Sequence, residues 1–286
     1  MKIRRNKKLK GNRSTAGNIF IFLLLGFFAC FMIIPLLYAV VSAFKPMDEI
    51  FAFPPKFFVR RPVPDNFIVL YKLAGGLWVP LSRYIFNSLF VCLAATVGHV
   101  IIASAAAYPL AKHKLRINWI FGVIVAALLF DGTVIAIPRF ILMAKLSLLN
   151  QYWTYILPVL PASLGLFLMK QFMEGIPDSL IEASIIDGAS QYLVFWRIIM
   201  PNVKPAWITL TIFTFQSVWN TGASGLVYRE ELKMLSDAVN QVASGGITRT
   251  GASMAGSLIL MLPPILIFVF AQNKVIETMA YSGIKE

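Results

Sequence analysis

A few polar side chains inside apolar segments mark where this chain could bind a ligand. In TLTIFTFQSVWNTGAS, Gln216 and Asn220 are four residues apart and share one helix face, with Trp219 beside them. Amides can hydrogen-bond hydroxyls and an aromatic ring packs on apolar C–H faces, so this set suits a sugar. Ser253 and Ser257 repeat the spacing in a later apolar segment. The competing interpretation is that all five form contacts between membrane helices.

Asp131 is an acidic residue in the otherwise apolar stretch LLFDGTVIAIP. A carboxylate within a membrane span is costly and is a candidate functional group by default. Gly132 and Pro138 nearby indicate a helix break at a water-accessible cavity, which favours a gating or structural role. The alternative is a proton relay, which would make the chain an ion-coupled secondary transporter. No second acid in another apolar segment supports that alternative.

Motifs for catalysis and nucleotide binding are absent from the 286 residues. There is no GxxxxGK[ST], and hence no phosphate-cradling loop for ATP. His99 and His113 are too few for a histidine-built metal site, and no Ser-His-Asp or Cys-His set stands out. His99, inside an apolar segment, is expected to pack neutral or to hydrogen-bond a neighbouring helix. The sequence predicts a chain that binds no metal or cofactor and is not an enzyme, with a membrane enzyme as the alternative.

Six apolar windows must position these residues. The chain is 58% hydrophobic and 14% charged, against about 25% charged in soluble domains. A spanning helix needs about 20 mainly apolar residues, and each window is long enough. The windows are 14–44, 84–111, 117–138, 146–169, 205–228 and 250–273. The sequence therefore predicts an all-α integral membrane protein with six transmembrane helices, kinked in the fourth at Pro158 and Pro161.

Lys and Arg placement predicts the orientation. The N-terminal run MKIRRNKKLKGNR is basic with no acid, which is typical of a cytoplasmic anchor beside anionic lipid. Nucleic-acid binding is disfavoured, because no basic folded domain with aromatic platforms accompanies the run. Residues 1–18 are predicted to be a cytoplasmic tail, 19–273 the six-helix domain and 274–286 a second cytoplasmic tail of a multi-pass cell-membrane protein. The 45–83 and 225–250 segments are predicted to lie outside.

The stretch PDSLIEASIIDGASQYLVFWRIIMP looks like a soluble surface set between two apolar windows. Ser179 and Glu182 have the spacing of a capping box, which predicts a helix start. The helix is expected to reach Asp187, where Gly188 permits the positive backbone angle that ends it. A second short helix, closed by Pro201, follows. The pattern predicts a compact cytoplasmic knob, or alternatively no more than an interfacial helix pair.

This stretch resembles the EAA loop of the membrane permeases of binding-protein-dependent ABC importers. The family pattern is Glu-Ala-Ala, three residues, Gly, nine residues, then Ile-x-Leu-Pro. Two small departures, Ser184 for the second Ala and Met200 for Leu, keep the helices. KLSLLNQYW and RYIFNSL also resemble segments of the carbohydrate-uptake branch. The residues that the resemblance assigns to ATPase coupling in the 178–201 loop are Glu182, Ala183, Asp187, Gly188, Ile198 and Pro201.

The resemblance implies a type I ABC importer permease fold over nearly the whole chain. It implies that the chain forms half of a translocation pathway for a sugar or oligosaccharide, paired with a second, different permease subunit. Two ATPase subunits would bind ATP and Mg²⁺ and dock on the 178–201 loop, and an extracellular solute-binding protein would deliver the substrate. Within that loop, Glu182 would offer a charge to an Arg or Lys of the ATPase, and Gly188 would set the angle between the two helices.

Overall fold

The computed structural model describes residues 15–75, 79–113, 119–130, 132–222 and 225–282, and their regular structure is helical. Besides the α-helices there is a π-helical turn (Phe195–Ile199) and two 3-10 turns (Glu230–Leu232 and Ile247–Arg249). The helices are α1 (Thr15–Ala43), α2 (Met47–Ile50), α3 (Asp65–Gly75), α4 (Leu81–Lys112), α5 (Trp119–Ala127), α6 (Ala136–Lys145), α7 (Trp153–Ile156), α8 (Ser163–Glu174), α9 (Asp178–Ile186), α10 (Gln191–Val194), α11 (Met200–Asn202), α12 (Lys204–Asn220), α13 (Leu235–Ala243) and α14 (Thr250–Ser282).

In the described part of the chain, three helices are long and apolar enough to cross a bilayer on their own. They are Gly17–Ala43 in α1, Leu81–Lys112, which is α4, and Ile247–Gln272 at the start of α14. A fourth is reached if Gln191–Asn202 and α12, which meet at a 76° bend, count as one span. The all-helical prediction is confirmed, but the described ranges do not contain six continuous spanning helices.

Two of the predicted windows do not form continuous helices: 117–138 contains α5 and only the first three residues of α6, and 146–169 contains α7 and the first half of α8. α5 ends at Ala127 and α6 begins at Ala136, while α7 ends at Ile156 and α8 begins at Ser163. The second break follows from Pro158 and Pro161, which have no N–H to continue the i→i−4 hydrogen bonds. The predicted kink is thus a complete interruption. Asp131, which was predicted to mark the other break, lies outside the described residues.

α4 is the central helix of the fold. Its first half packs against α7, the end of α12 and the segment 227–239, and its second half packs against α8 and the start of α12. Glycines allow the close approach: a Cβ on Gly98 would lie 2.7 Å from Leu160 Cδ2, and one on Gly165 would lie 2.2 Å from His99 Nε2. Small residues at such crossings are how membrane helices pack without a hydrophobic driving force.

α1 lies at the periphery of the fold, where it packs against α14. Most of its large apolar side chains are exposed, as Phe22 is at 77%. An apolar surface of this length is far larger than a soluble monomer exposes, and it suits lipid or another apolar partner.

Candidate functional site

α9 is the first helix of the 178–201 loop, and its N-cap is Pro177, whose backbone is extended. No side chain caps this helix, and Ser179 lies inside its first turn. The predicted capping box of Ser179 and Glu182 is therefore wrong. Pro177 has no side-chain acceptor for the first N–H groups, and the helix starts two residues earlier than the spacing indicated.

The end of α9 confirms the predicted glycine turn. Gly188 has φ +88°, its N–H donates to the Ile185 carbonyl at 3.0 Å, and the Ala189 N–H donates to the Ser184 carbonyl at 2.9 Å. These two bonds are the pair that defines a Schellman motif. No atom lies within 4 Å of a Cβ built on Gly188, so the residue is required for its backbone conformation and not for space.

The second helical part of the loop is less regular than predicted. The Ser190 hydroxyl caps α10 by accepting from the Leu193 N–H at 3.3 Å. The π-helical turn then leads into α11, which contains Pro201. Pro201 was predicted to end the second helix, but the chain continues past it and bends at Val203 into α12. Because proline has no N–H, Pro201 cannot make the usual i→i−4 hydrogen bond of an α-helix. A π-helical turn before it is one way for the backbone to adjust to that missing bond.

Two side chains of α4 hold the loop in place. Lys112 Nζ donates to the Ile176 carbonyl and lies 2.8 Å from Asp178 Oδ1, at the start of α9. The Tyr108 hydroxyl donates to Gln191 Oε1 at 2.9 Å, at the start of α10. Sequence reasoning missed both anchors, since their partners are more than sixty residues away in the chain. The available signal was that Tyr108 and Lys112 are four residues apart and share a helix face.

The three residues of α12 that were predicted to bind a sugar differ in burial: one packs inside the protein and two do not. Trp219 is 2% exposed, its Nε1 donates to the Leu260 carbonyl of α14 at 2.9 Å, and its ring stacks on Phe215 with centroids 5.6 Å apart. Gln216 is half-buried and Asn220 is exposed. The Trp219 indole is thus a contact between membrane helices in this structure, and the two amides lie away from it.

The serine pair of α14 is also placed by local bonding. The exposed Ser257 hydroxyl donates to the carbonyl of half-buried Ser253 at 2.9 Å, inside the same helix. This back-bonding satisfies the hydroxyl without a neighbouring helix. The structure does not bring these serines together with Gln216 and Asn220 at one cavity.

A cavity of about 620 Å³ lies between α6, the break after α7 and the end of α12. None of the five residues predicted for a substrate path lines it. Ser217 of α12 and Thr221, which follows its last residue, do line the cavity. Each lies one residue further along than Gln216 or Asn220 and therefore about 100° around the helix axis. Arg139 is the one charged residue among the described residues of the lining. The signal for this face was in the sequence, because Ser217 and Thr221 also have i, i+4 spacing.

Curated relatives match the chain over most of its length. The arabinooligosaccharides transport system permease protein AraQ of Halalkalibacterium halodurans is 27% identical, over 91% of this chain and 93% of the relative. The probable ABC transporter permease protein YurM of Bacillus subtilis is 28% identical, over 88% and 83%. The sn-glycerol-3-phosphate transport system permease protein UgpE of Pectobacterium atrosepticum is 30% identical, over 70% and 73%. The chain belongs to the permease subunits of ABC transport systems.

The fold of the permease agrees with that assignment. A solved bacterial ABC transporter that imports the acidic polysaccharide alginate contains a chain of the same fold, with a TM-score of 0.72 and 23% identity over 92% of this chain and 99% of that one. No protein-family model matches the permease. The family predicted from the EAA-like stretch is confirmed by the relatives.

The permease leaves one face of the 178–201 loop open. Ile181, Phe195 and Ile199 are buried against α8 and α12. Glu182, Ala183, Asp187, Gly188 and Pro201 are exposed, and Ile198 is half-buried. Ile186 is 85% exposed, and no side chain in the described ranges forms an ion pair with Glu182. The open face combines an unpaired acid with apolar area.

At the opposite end of α4, a polar network fixes the segment 225–241. Glu230 accepts from the Tyr84 hydroxyl at 2.6 Å, from Lys233 Nζ at 2.6 Å and from Gln241 Nε2 at 3.0 Å. Burial raises the pKa of Glu230, but these hydrogen bonds and the charge of Lys233 outweigh it, and the net pKa is lowered. Asn87 Nδ2 donates to the carbonyls of Glu231 and Lys233, each at 2.8 Å. Sequence reasoning missed this network because its members are about 145 residues apart.

Proposed function

We propose that this permease forms half of the translocation pathway of an ATP-driven importer for a sugar or oligosaccharide. We propose further that its 178–201 loop couples the pathway to a separate ATPase. The substrate class rests on the family and on relatives such as AraQ, which is named for arabinooligosaccharides. The coupling role rests on one observation: both helices of the loop are fixed to α4 while their other face is open.

The attachment suits the transmission of force. Lys112 and Tyr108 hold the starts of α9 and α10 to the end of a 32-residue helix. A push on the loop should therefore move α4 as a rigid body without unfolding the loop. Gating by rotation of packed elements requires such rigid transmission. Glu182 and the exposed Ile186 supply charge and apolar area for a cleft of the ATPase.

The proposed topology has six crossings with both termini in the cytoplasm. α5 with α6, and α7 with α8, would each make one interrupted crossing, since broken helices are tolerated where they border protein or a water-filled cavity. Cysteine labelling of intact cells tests the orientation. A cysteine at Asn12 should stay unlabelled by an impermeant reagent, and labelling there would reverse the topology.

The proposed pathway includes the cavity beside Arg139 and the interrupted crossings that border it. The volume of this cavity falls within the range of about 300–1,000 Å³ that is typical of ligand pockets. Gln216, Asn220, Ser253 and Ser257 are proposed to line the substrate path where this chain meets the second permease. Asp131 is proposed to act in gating.

The proposed partners are a second permease subunit, two ATPase subunits and an extracellular solute-binding protein. ATP and Mg²⁺ would bind to the ATPase, and this chain would have no catalytic role and bind no cofactor. Co-purification distinguishes this arrangement from a secondary transporter, which would be complete alone, and from a membrane enzyme, which would turn over substrate alone.

The coupling proposal is tested by Gly188→Val and Glu182→Lys. At φ +88° a β-branched residue is strained by about 1–3 kcal/mol, which should re-aim α10. A lysine at 182 would oppose a basic partner, and like-charge contacts can cost several kcal/mol. Both variants should reach the membrane, lose uptake and retain less ATPase on purification. Gly175→Ala is the matched control, because Gly175 has an ordinary helical φ of −71°; normal ATPase ratios in both test variants would remove the coupling assignment.

A further inference from the structure

The segment after α1 carries four phenylalanines in FAFPPKFF, residues 51–58, which we name the 51–58 loop. Phe53 is 94% exposed and Phe58 is 74% exposed, and Phe51 is also exposed. Single exposed apolar residues are ordinary, but several aromatic side chains in one short loop form a patch that marks an interaction site.

The 51–58 loop is folded back along the end of α1. The Phe57 ring lies 5.7 Å from the ring of Tyr38. Lys45 Nζ donates to the Lys56 carbonyl at 2.6 Å and lies 4.7 Å from the Tyr38 ring centroid. Lys45 is itself buried. These contacts fix the backbone of the loop beside the last turns of an apolar spanning helix.

The contact lies at a definite depth along α1. Tyr38 is five residues before Ala43, the last residue of the helix, and at 1.5 Å per residue that places Phe57 about 7.5 Å below the helix end. The apolar stretch Gly17–Ala43 has 27 residues and is about 40 Å long. It exceeds the hydrocarbon core, about 30 Å thick, by about 5 Å at each end. Phe57 therefore lies near the boundary between headgroups and acyl chains.

Charge around the 51–58 loop fits the headgroup region. Glu49 accepts from the backbone N–H groups of Arg60 and Arg61, and Arg61 pairs with Asp48, so both nearby acids are already bonded within the protein. The Lys56 side chain, in contrast, is exposed. Basic side chains near a bilayer surface are attracted to anionic lipid headgroups, and aromatic rings concentrate at the same level.

We infer that the 51–58 loop is a membrane-interface anchor that places Phe53 and Phe58 at the acyl–headgroup boundary beside α1. The occupant of the patch is lipid, because the patch continues the exposed apolar surface of a spanning helix at the depth where interfacial segments insert, about 5–10 Å. The inference holds whichever side of the membrane the loop lies on, and it does not rest on the proposed import activity.

Spin-label accessibility tests this directly. The two native cysteines of the full-length permease are first replaced by Cys30→Ser and Cys92→Ala. A single cysteine for the label is then introduced as Phe53→Cys, Phe58→Cys or Phe51→Cys. Each variant is purified with its partners and placed in vesicles of phosphatidylcholine and phosphatidylglycerol. Two positions calibrate the scale: Phe22→Cys in the exposed surface of α1, and Tyr228→Cys, which is exposed in the polar 225–241 segment. Labels at 53 and 58 should be more accessible to oxygen than to a water-soluble nickel chelate, as at 22 and opposite to 228.

Two other outcomes overturn the inference. If labels at 53 and 58 behave like the label at 228, the loop is in water. If they are immobile and shielded from both reagents, a protein partner covers the patch in place of lipid. Because three loop positions are labelled separately, failure of one variant to fold leaves the other two to decide.

Discussion

The imidazole Nδ1 of His99 lies 2.9 Å from the carbonyl oxygen of Leu160, at the break between α7 and α8. A carbonyl can only accept, so His99 carries its proton on Nδ1. Outside the regular helices, no backbone N–H of the described residues donates to that carbonyl. His99 therefore supplies this carbonyl with a hydrogen-bond partner from within the protein, which a break inside a bilayer requires. The sequence predicted that His99 packs neutral or hydrogen-bonds a neighbouring helix; the hydrogen bond is found, but its partner lies in the break between two helices.

His99→Leu should therefore destabilise the permease by about 1–3 kcal/mol, the cost of an unsatisfied buried carbonyl. Thermal melting of the purified permease measures the loss. His99→Gln keeps a donor and should lose less. His113→Leu, at the exposed end of α4, is the control, and equal melting temperatures for the two leucine variants would contradict the role given to His99.

Tyr108→Phe should weaken coupling more than folding. It removes the hydroxyl bond to Gln191 but keeps the ring contact with Phe195, whose centroid is 5.6 Å away. A single hydrogen bond contributes about 1 kcal/mol, so the protein should stay folded while more ATP is hydrolysed per substrate imported. Tyr192→Phe on the exposed face of the loop should leave that ratio unchanged. An unaltered ratio for Tyr108→Phe would show that the anchor is not used in coupling.

Trp219→Phe should lower stability, because the indole bond to Leu260 is lost from a buried site. Gln216→Ala and Asn220→Ala should leave the melting temperature nearly unchanged and reduce uptake, if these amides face the pathway. Melting and uptake measured on the same three preparations separate the two effects. A stable Trp219→Phe variant with poor uptake would instead return Trp219 to the substrate path.

Acid should weaken the attachment of the 225–241 segment through Glu230. The folded pKa of Glu230 is lowered, so its stabilisation is complete above the usual carboxyl pKa and is lost as the pH falls through the lower, folded value. Glu230→Gln should melt below the wild type at about pH 7 and approach it at about pH 3. Glu231→Gln, at a more exposed carboxylate, serves as the comparison. A constant gap between wild type and Glu230→Gln across that range would refute the linkage.

Arg139→Gln should reduce the uptake of a negatively charged substrate but not that of a neutral one. Arg139 is the one charged side chain among the described lining residues of the cavity, and a guanidinium there favours a ligand with a carboxylate or phosphate group. Uptake of an anionic saccharide should fall about tenfold or more, equivalent to about 1.4 kcal/mol, while uptake of a neutral oligosaccharide is unchanged. Arg139→Lys retains the charge and should be intermediate. Equal loss for both substrate types would indicate a packing role.

The sequence by itself determined the membrane class, the family and the outline of the 178–201 loop. Apolar windows must be helical in lipid because every backbone group needs an internal partner, and a glycine with positive φ between two short helices is a local requirement that Gly188 meets. These features depend on neighbours within a few residues. The same local reasoning mistook Ser179 for the N-cap of a capping box, whereas the N-cap of α9 is Pro177, two residues earlier.

Only the tertiary structure decided what holds the loop, which face of α12 meets the cavity and where two predicted spans are interrupted. A one-residue step turns a helix by about 100°, which separates Ser217 and Thr221 at the cavity from Gln216 and Asn220 beside it. The bonds of Lys112, Tyr108, His99 and Glu230 all join parts of the chain that are far apart in sequence. Such pairs follow from how α4 packs against its neighbours, and helix periodicity does not encode that packing.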